Sequence, residues 1–121
     1  WARSDIEGVE YAFNGVPSSP RTGPRSFELK NEGKEPHELV LFRFNDGVSD
    51  TVQQLLSLPQ DQIQAKVRSF GTTFAEPGKS SFVVADLSAG RYAMLCFIPV
   101  GGAQEGPPHA TRGMLAEFQV S

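Results

Sequence analysis

Glycine and proline divide the chain into short apolar segments, and this division limits the fold more than any other feature. The segments "RSFELKN" and "MLAEFQV" place apolar residues at alternate positions, the pattern of a β-strand with one buried face, and "SSFVVADL" is also predicted to be a strand. "HELVLFRF" predicts a nearly continuous apolar strand, and further strands are predicted at Val9–Phe13 and in "RYAMLCFI". About six short strands separated by turns predict an all-β sandwich or barrel.

One stretch changes to a helical period. Asp50 and Gln53 have the spacing of a capping box, and a second short helix is predicted to begin at Pro59 and to end before Gly71. Apolar residues recur at helical spacing in both, at Val52, Leu55 and Leu56 in the first and at Ile63, Val67 and Phe70 in the second. The sequence therefore predicts an all-β domain with a short helical insertion around residues 49–70.

Size and charge exclude several classes of protein. We expect residues 9–121 to form a single domain, preceded by an N-terminal linker or extension at residues 1–8. The net charge is −3 with scattered Lys and Arg, which does not fit a nucleic-acid-binding protein, and no apolar run is long enough for a transmembrane segment. The chain begins with Trp1 rather than Met, so we expect that an export signal or anchor has been removed.

The chemically distinctive side chains lie at the ends of predicted strands. The only two histidines and the only cysteine are His37 at a strand start, Cys96 at a strand end and His109 in a loop, and Met114 begins the next strand. Alternation directs Met114 into the core. Each of these residues, taken singly, has a structural explanation as a core or rim residue. Taken together, two imidazoles, a thiolate and a thioether are the donor set of a blue-copper electron-transfer site.

A catalytic interpretation has less support. A hydrolytic zinc site would need an open water position and harder ligands than these. The sequence shows no nucleophile elbow, and "GGAQEG" lacks the lysine and the following helix of a phosphate-binding loop. We therefore predict no catalytic residues and a protein that is not an enzyme.

Several segments resemble the cupredoxins, the family of plastocyanin and azurin. "KNEGKEPHELVLF" is similar to the plastocyanin-type segment that leads a Pro-His pair into a core strand, and "AGRYAMLC" is similar to the strand that delivers the ligand cysteine. "HATRGM" has the family's spacing from the second histidine to methionine, and the helical insertion corresponds to the flap of azurin-like members. The resemblance extends from about Tyr11 to Val120.

The resemblance implies a Greek-key β-sandwich that binds one copper ion, cycling between Cu(I) and Cu(II). His37, Cys96 and His109 would be the equatorial ligands and Met114 the axial ligand, with the copper near the surface at the His109 edge. It further implies a monomeric electron carrier that contacts redox partner proteins transiently. The location would be extracytoplasmic: in the periplasm, at the cell surface, in a thylakoid lumen or secreted.

The sequence departs from the family pattern in two places. Twelve residues, "FIPVGGAQEGPP", separate Cys96 from His109, where plastocyanins and azurins have only a few. Glu38 follows the first histidine, where plastocyanin-like members often have Asn. The Gly- and Pro-rich loop suits either a flexible lip over the metal or a solvated connector. Two alternatives to electron transfer therefore remain, a copper carrier or storage domain and a metal-free interaction module with the same fold.

Overall fold

The structure is a computed structural model that describes residues 2–102 and 106–121. Its strands are β1 (Ala2–Val9), β2 (Ala12–Asn14), β3 (Gly23–Asn31), β4 (His37–Phe44), β5 (Val67–Ala75), β6 (Ser80–Leu87), β7 (Gly90–Leu95) and β8 (Leu115–Val120). One sheet has the order β2-β1-β3-β6 and the other β5-β4-β7-β8. All neighbours pair antiparallel except β1 and β3, which are parallel. The predicted all-β sandwich is confirmed.

The N-terminal region differs from the expectation. The predicted strand at Val9–Phe13 is divided by a turn at residues 10–11, and residues 2–8, expected as a linker or extension, form most of β1. The strand is inconspicuous in the sequence because two of its three inward positions, Ser4 and Gly8, carry small side chains. Pairing with β3 holds it in place, with Ile6 opposite Leu29. Trp1 lies outside the described residues.

The helical insertion is shorter than predicted. It consists of α1 (Val52–Leu56) and α2 (Gln60–Lys66), and Thr51 and Gln54 form the capping box, one residue later than the predicted pair. Residues 67–70 belong to β5 and not to a helix. Their apolar spacing fits a helix, but antiparallel pairing with β4 provides the backbone hydrogen bonds of a sheet.

Two cores explain why β4 is apolar on both faces. Leu39 and Leu41 pack between the sheets, in the core that also contains Cys96 and Met114. The other face of the same sheet is covered by α1, whose buried residues pack with Phe42, Phe44 and their neighbours. The central strands of this sheet, β4 and β7, are therefore largely buried on both faces, whereas β5 and β8 keep exposed positions.

Candidate metal centre

Strand order brings the predicted donors to one end of the second sheet. His37 is the first residue of β4, Cys96 directly follows β7, and Met114 directly precedes β8. Because β7 is antiparallel to both β4 and β8, the end of β7 lies beside the starts of its two neighbours. The sheet itself therefore gathers three of the four predicted donors.

The fourth donor, His109, begins a short 3₁₀ helix (His109–Arg112) that lies between the Cys96 and Met114 strands. Backbone hydrogen bonds fix this turn on both sides: Ala110 N donates to Cys96 O at 2.8 Å, and Met114 N donates to His109 O at 3.1 Å. Gly113 ends the turn with φ of +112°, a left-handed conformation that favours glycine. The glycine in "HATRGM" is thus required by the chain reversal before Met114.

The donor atoms converge in a buried cluster. The ligand atoms of His37, Cys96 and His109 all lie within 4.8 Å of one another. His109 Nδ1 lies 3.2 Å from His37 Nδ1 and 3.3 Å from Cys96 Sγ. These side chains and Met114 are fully buried. A Cβ at Gly8 would contact both the Met114 methyl group at 3.4 Å and the edge of the His37 ring at 3.7 Å, so Met114 lies beside His37.

Two glutamates that the sequence did not single out contact the histidines. Glu10 Oε2 lies 3.1 Å from His37 Nε2, and Glu35 Oε1 lies 3.0 Å from His109 Nε2. Tyr11 adds a hydrogen bond from its hydroxyl to Glu35, at 2.7 Å, and packs its ring against His109 with centroids 4.8 Å apart. Each imidazole therefore has its outer nitrogen against a carboxylate and its inner nitrogen in the cluster.

Both carboxylates favour the ionised form. Burial alone would raise the pKa of Glu10, but hydrogen bonds from the backbone of Lys34 and from His37 outweigh it, and the pKa falls below its ordinary value. The hydrogen bond from Tyr11 chiefly lowers the pKa of Glu35, against burial and with help from His109. An ionised carboxylate only accepts hydrogen bonds, so the outer nitrogen of each histidine carries the hydrogen.

The distribution of hydrogen atoms in the cluster leaves donor atoms that could bind a cation. Burial lowers the pKa of His37, which keeps this ring neutral, and burial raises the pKa of the Cys96 thiol. With hydrogen on both outer nitrogens, the two inner nitrogens are acceptors 3.2 Å apart, and the thiol offers a single hydrogen between them. A metal ion bound by the thiolate would satisfy all three atoms. Two imidazoles with a thiolate suit copper, and Met114 brings a thioether side chain into the same buried region.

Glu38, the residue after His37, links the His37 and Cys96 segments. Its carboxylate accepts a hydrogen bond from Phe97 N at 3.1 Å. Its backbone N–H points at Cys96 Sγ, 3.4 Å away. The substitution noted in the sequence therefore preserves a link between the His37 and Cys96 segments.

Two side chains lie between the candidate site and the surface. His109 is 0% exposed, and Glu35, which is 21% exposed, covers its outer nitrogen. Phe97, the residue after Cys96, is 37% exposed. The side chain of Phe97, next to Cys96 in the sequence, is thus partly at the surface.

The two ends of the loop between Cys96 and His109 are hydrogen-bonded to each other close to the donors. Pro99 and Pro108 form an isolated antiparallel bridge, and Val100 N donates to Pro107 O at 2.8 Å. His109 N donates to Ile98 O at 2.9 Å. Residues 103–105, at the far part of the loop, lie outside the described residues. The two strands of the loop therefore meet within three residues of Cys96.

Comparison with known proteins supports the fold. No family model and no curated protein sequence matches the chain. Dithionite-reduced auracyanin from Roseiflexus castenholzii matches with a TM-score of 0.65 and 18% identity, over 100% of this chain and 98% of its own. Auracyanin A, a "blue" copper protein from Chloroflexus aurantiacus, gives 0.62 and 18%, over 99% and 98%. A multicopper oxidase gives 0.54 and 20%, over 98% of this chain and 41% of its own. The chain thus has the cupredoxin fold that its sequence motifs suggested.

Proposed function

We propose that the chain binds one copper ion through His37, Cys96, His109 and Met114 and carries single electrons between protein partners. The observation that carries this proposal is the burial of two imidazole nitrogens and a thiol within 4.8 Å of one another. Copper, when bound, supplies the one-electron Cu(I)/Cu(II) couple, to which this mixed nitrogen and sulfur donor set is suited. Auracyanin A, which shares the fold, is described as a blue copper protein.

Backbone hydrogen bonds hold the segments that carry the donors in a fixed arrangement. The backbone bonds that link Cys96, His109 and Met114 restrict all three segments before any ion arrives. A rigid donor set suits electron transfer, since little rearrangement is then needed when the charge of the ion changes. Full burial of the donors also favours retention over rapid exchange of the ion. This favours an electron carrier over a copper carrier or storage domain.

The proposal also includes the partners, the oligomeric state and the location of the protein. Partners would be redox proteins bound through a small, transient interface, and the protein would act as a monomeric carrier without catalysis. An extracytoplasmic location rests on the family resemblance. Among residues 2–102 and 106–121, no helix combines the length and apolarity needed to span a membrane.

The test is a copper titration of the reduced, metal-free protein, followed by absorption and electron paramagnetic resonance spectra. We expect one equivalent of Cu(II) to give an intense visible band that is lost in Cys96→Ser. The two buried methionines give a matched pair: Met114→Leu should alter the spectrum and the reduction potential, and Met94→Leu should leave both unchanged.

Two other outcomes would contradict electron transfer, and a third would contradict the proposed ligand set. Binding of Cu(I) without a stable coloured Cu(II) form, with rapid loss to a chelator, would indicate a copper carrier. Absence of binding by either ion would leave the metal-free interaction module. Identical behaviour of Met114→Leu and Met94→Leu would remove Met114 from the ligand set.

A further inference from the structure

The two candidate ligand histidines have the same kind of partner on the side away from the cluster. His37 Nε2 faces Glu10 at 3.1 Å, and His109 Nε2 faces Glu35 at 3.0 Å. The imidazoles are 0% exposed, and each carboxylate is 21% exposed. Two largely buried carboxylates with the same orientation toward two buried rings form a paired arrangement around the cluster.

Other groups hold both carboxylates in place. Glu10 Oε1 accepts hydrogen bonds from Lys34 N and from Glu35 N, the latter at 3.0 Å. Glu35 accepts from the Tyr11 hydroxyl at 2.7 Å and from Gly101 N at 2.6 Å. Each carboxylate is therefore fixed by two donors besides the histidine. An ionised carboxylate that accepts hydrogen bonds from several donors also accepts one from the imidazole. The hydrogen of each imidazole is therefore on Nε2.

Gly33 gives an independent indication that the Glu10–His37 contact is built into the chain. A Cβ at this position would collide with the Glu10 carboxylate and would lie 2.9 Å from His37 Nε2. Gly33 N also donates to Asn31 Oδ1 at 2.9 Å, which fixes the local backbone. Only a residue without a side chain leaves room for the carboxylate against the ring.

We propose that Glu10 and Glu35 are positioning residues: each fixes the Nε2–H tautomer of one histidine, so that both Nδ1 atoms face the ion, and together they favour Cu(II) over Cu(I). This inference rests on the copper site proposed above. Carboxylate partners orient ligand imidazoles and make them stronger donors. The thiolate and two carboxylates also place three negative charges near the ion. These charges stabilise a dication more than a monocation.

The experiment removes the charge of each carboxylate. Glu35→Gln retains a side-chain oxygen for the His109 Nε2–H, because His109 and Gly101 N share one oxygen of Glu35. In Glu10→Gln one oxygen cannot serve both His37 and the backbone N–H groups of Lys34 and Glu35, so this variant also loses a hydrogen-bond acceptor. We expect each to lower the ratio of Cu(II) to Cu(I) affinity by about tenfold, within the range for such partners, which raises the reduction potential by about 59 mV. Glu38→Gln is the matched control. The Glu38 carboxylate is also near the cluster, but it accepts a hydrogen bond from Phe97 N and not from a ligand imidazole. An equal shift in Glu38→Gln would overturn the proposed route through the imidazoles.

Tautomers provide a readout that does not depend on copper. In the metal-free protein, nitrogen-15 NMR of the imidazoles should show hydrogen on Nε2 of both histidines. Gly33→Ala, which keeps both carboxylates but displaces Glu10, should change the tautomer population of His37 and leave His109 unaltered. Hydrogen on Nδ1 of either histidine in the unaltered protein would overturn the inference. If the protein binds no copper, the function proposed above fails while the tautomer measurement still decides the positioning role.

Discussion

Asn31 offers the most direct test of how the chain organises the site. It is 1% exposed and ends β3, just before the turn that carries Glu35 and His37. Its Nδ2 donates to Glu35 O at 2.8 Å and to Ala75 O at 2.9 Å, and its Oδ1 accepts from Gly33 N at 2.9 Å. The Asn31 side chain thus joins two residues of the turn, Gly33 and Glu35, and links the turn to the end of β5.

The cost of Asn31→Ala follows from these three hydrogen bonds. Each has a net value of about 1 kcal/mol, and the buried carbonyl of Ala75 would lose a partner that water cannot easily replace, so we expect a loss of about 2–4 kcal/mol in the free energy of unfolding. That is a large part of the roughly 5–15 kcal/mol typical of a domain. Asn31→Asp keeps the acceptor for Gly33 N but turns both donors into acceptors facing carbonyls. It should be no less destabilising than the alanine variant.

Urea unfolding of the metal-free protein would measure this loss, with the slope against denaturant expected to stay unchanged. Asn45→Ala is the control, because the side chain of Asn45 makes one exposed hydrogen bond, to Ala65 O. It should cost about 1 kcal/mol or less. A loss for Asn31→Ala below about 1 kcal/mol, or equal to that of Asn45→Ala, would refute the reasoning. We also expect Asn31→Ala to weaken copper binding, since the turn carries His37.

Two further predictions concern pH and electron exchange. Burial lowers the pKa of His37 in the folded protein below its ordinary value of 6.5. As the pH falls below 6.5, this histidine therefore takes up a proton in the unfolded chain before it does so in the folded protein. The stability of the metal-free protein should then fall with the pH. Unfolding measured over a pH series should show this fall, and an identical profile in His37→Gln would contradict it. Phe97→Lys should slow electron self-exchange of the copper-loaded protein, measured by NMR line broadening, although it brings the net charge of −3 closer to zero. The exposed Phe82 of the other sheet is the control, and an equal effect of Phe82→Lys would exclude a specific route at Phe97.

The gathering of the predicted donors could be anticipated because each residue type is rare in this sequence, and because His37, Cys96 and Met114 lie at strand boundaries. Alternation along the last strand placed Met114 with Phe118 in the core, and the structure buries both. The uniqueness of Cys96 made its position informative before any contact was known. Chemistry carried by rare residue types on regular strands can thus be predicted from one sequence.

Glu10 and Glu35 could not be found in this way. They are two of fourteen acidic residues, and nothing in their spacing separates them from glutamates on the surface. Glu10 lies in the turn after β1, a strand whose small inward residues conceal it in the sequence, and Glu35 lies in the turn between β3 and β4. The role of Glu10 depends also on Gly33, whose missing side chain leaves the space that Glu10 occupies. Contacts made by common residues in turns need the three-dimensional structure.

The loop between Cys96 and His109 shows why loop length alone is a poor guide to the geometry of a site. The chain leaves the cluster through Phe97 and Ile98, and the bridge between Pro99 and Pro108 then closes the base of a hairpin. The bond from His109 N to Ile98 O fixes the returning strand beside the departing one. The donors are therefore held by a short closed base, and the residues beyond it add only the slowly increasing entropy of a longer loop. Glu35 strengthens this arrangement, because the same carboxylate oxygen that faces His109 accepts from Gly101 N and so joins the first histidine's turn to the loop. The described residues on both sides of this insertion thus lie beside the site, and a carboxylate that contacts the site holds Gly101 there.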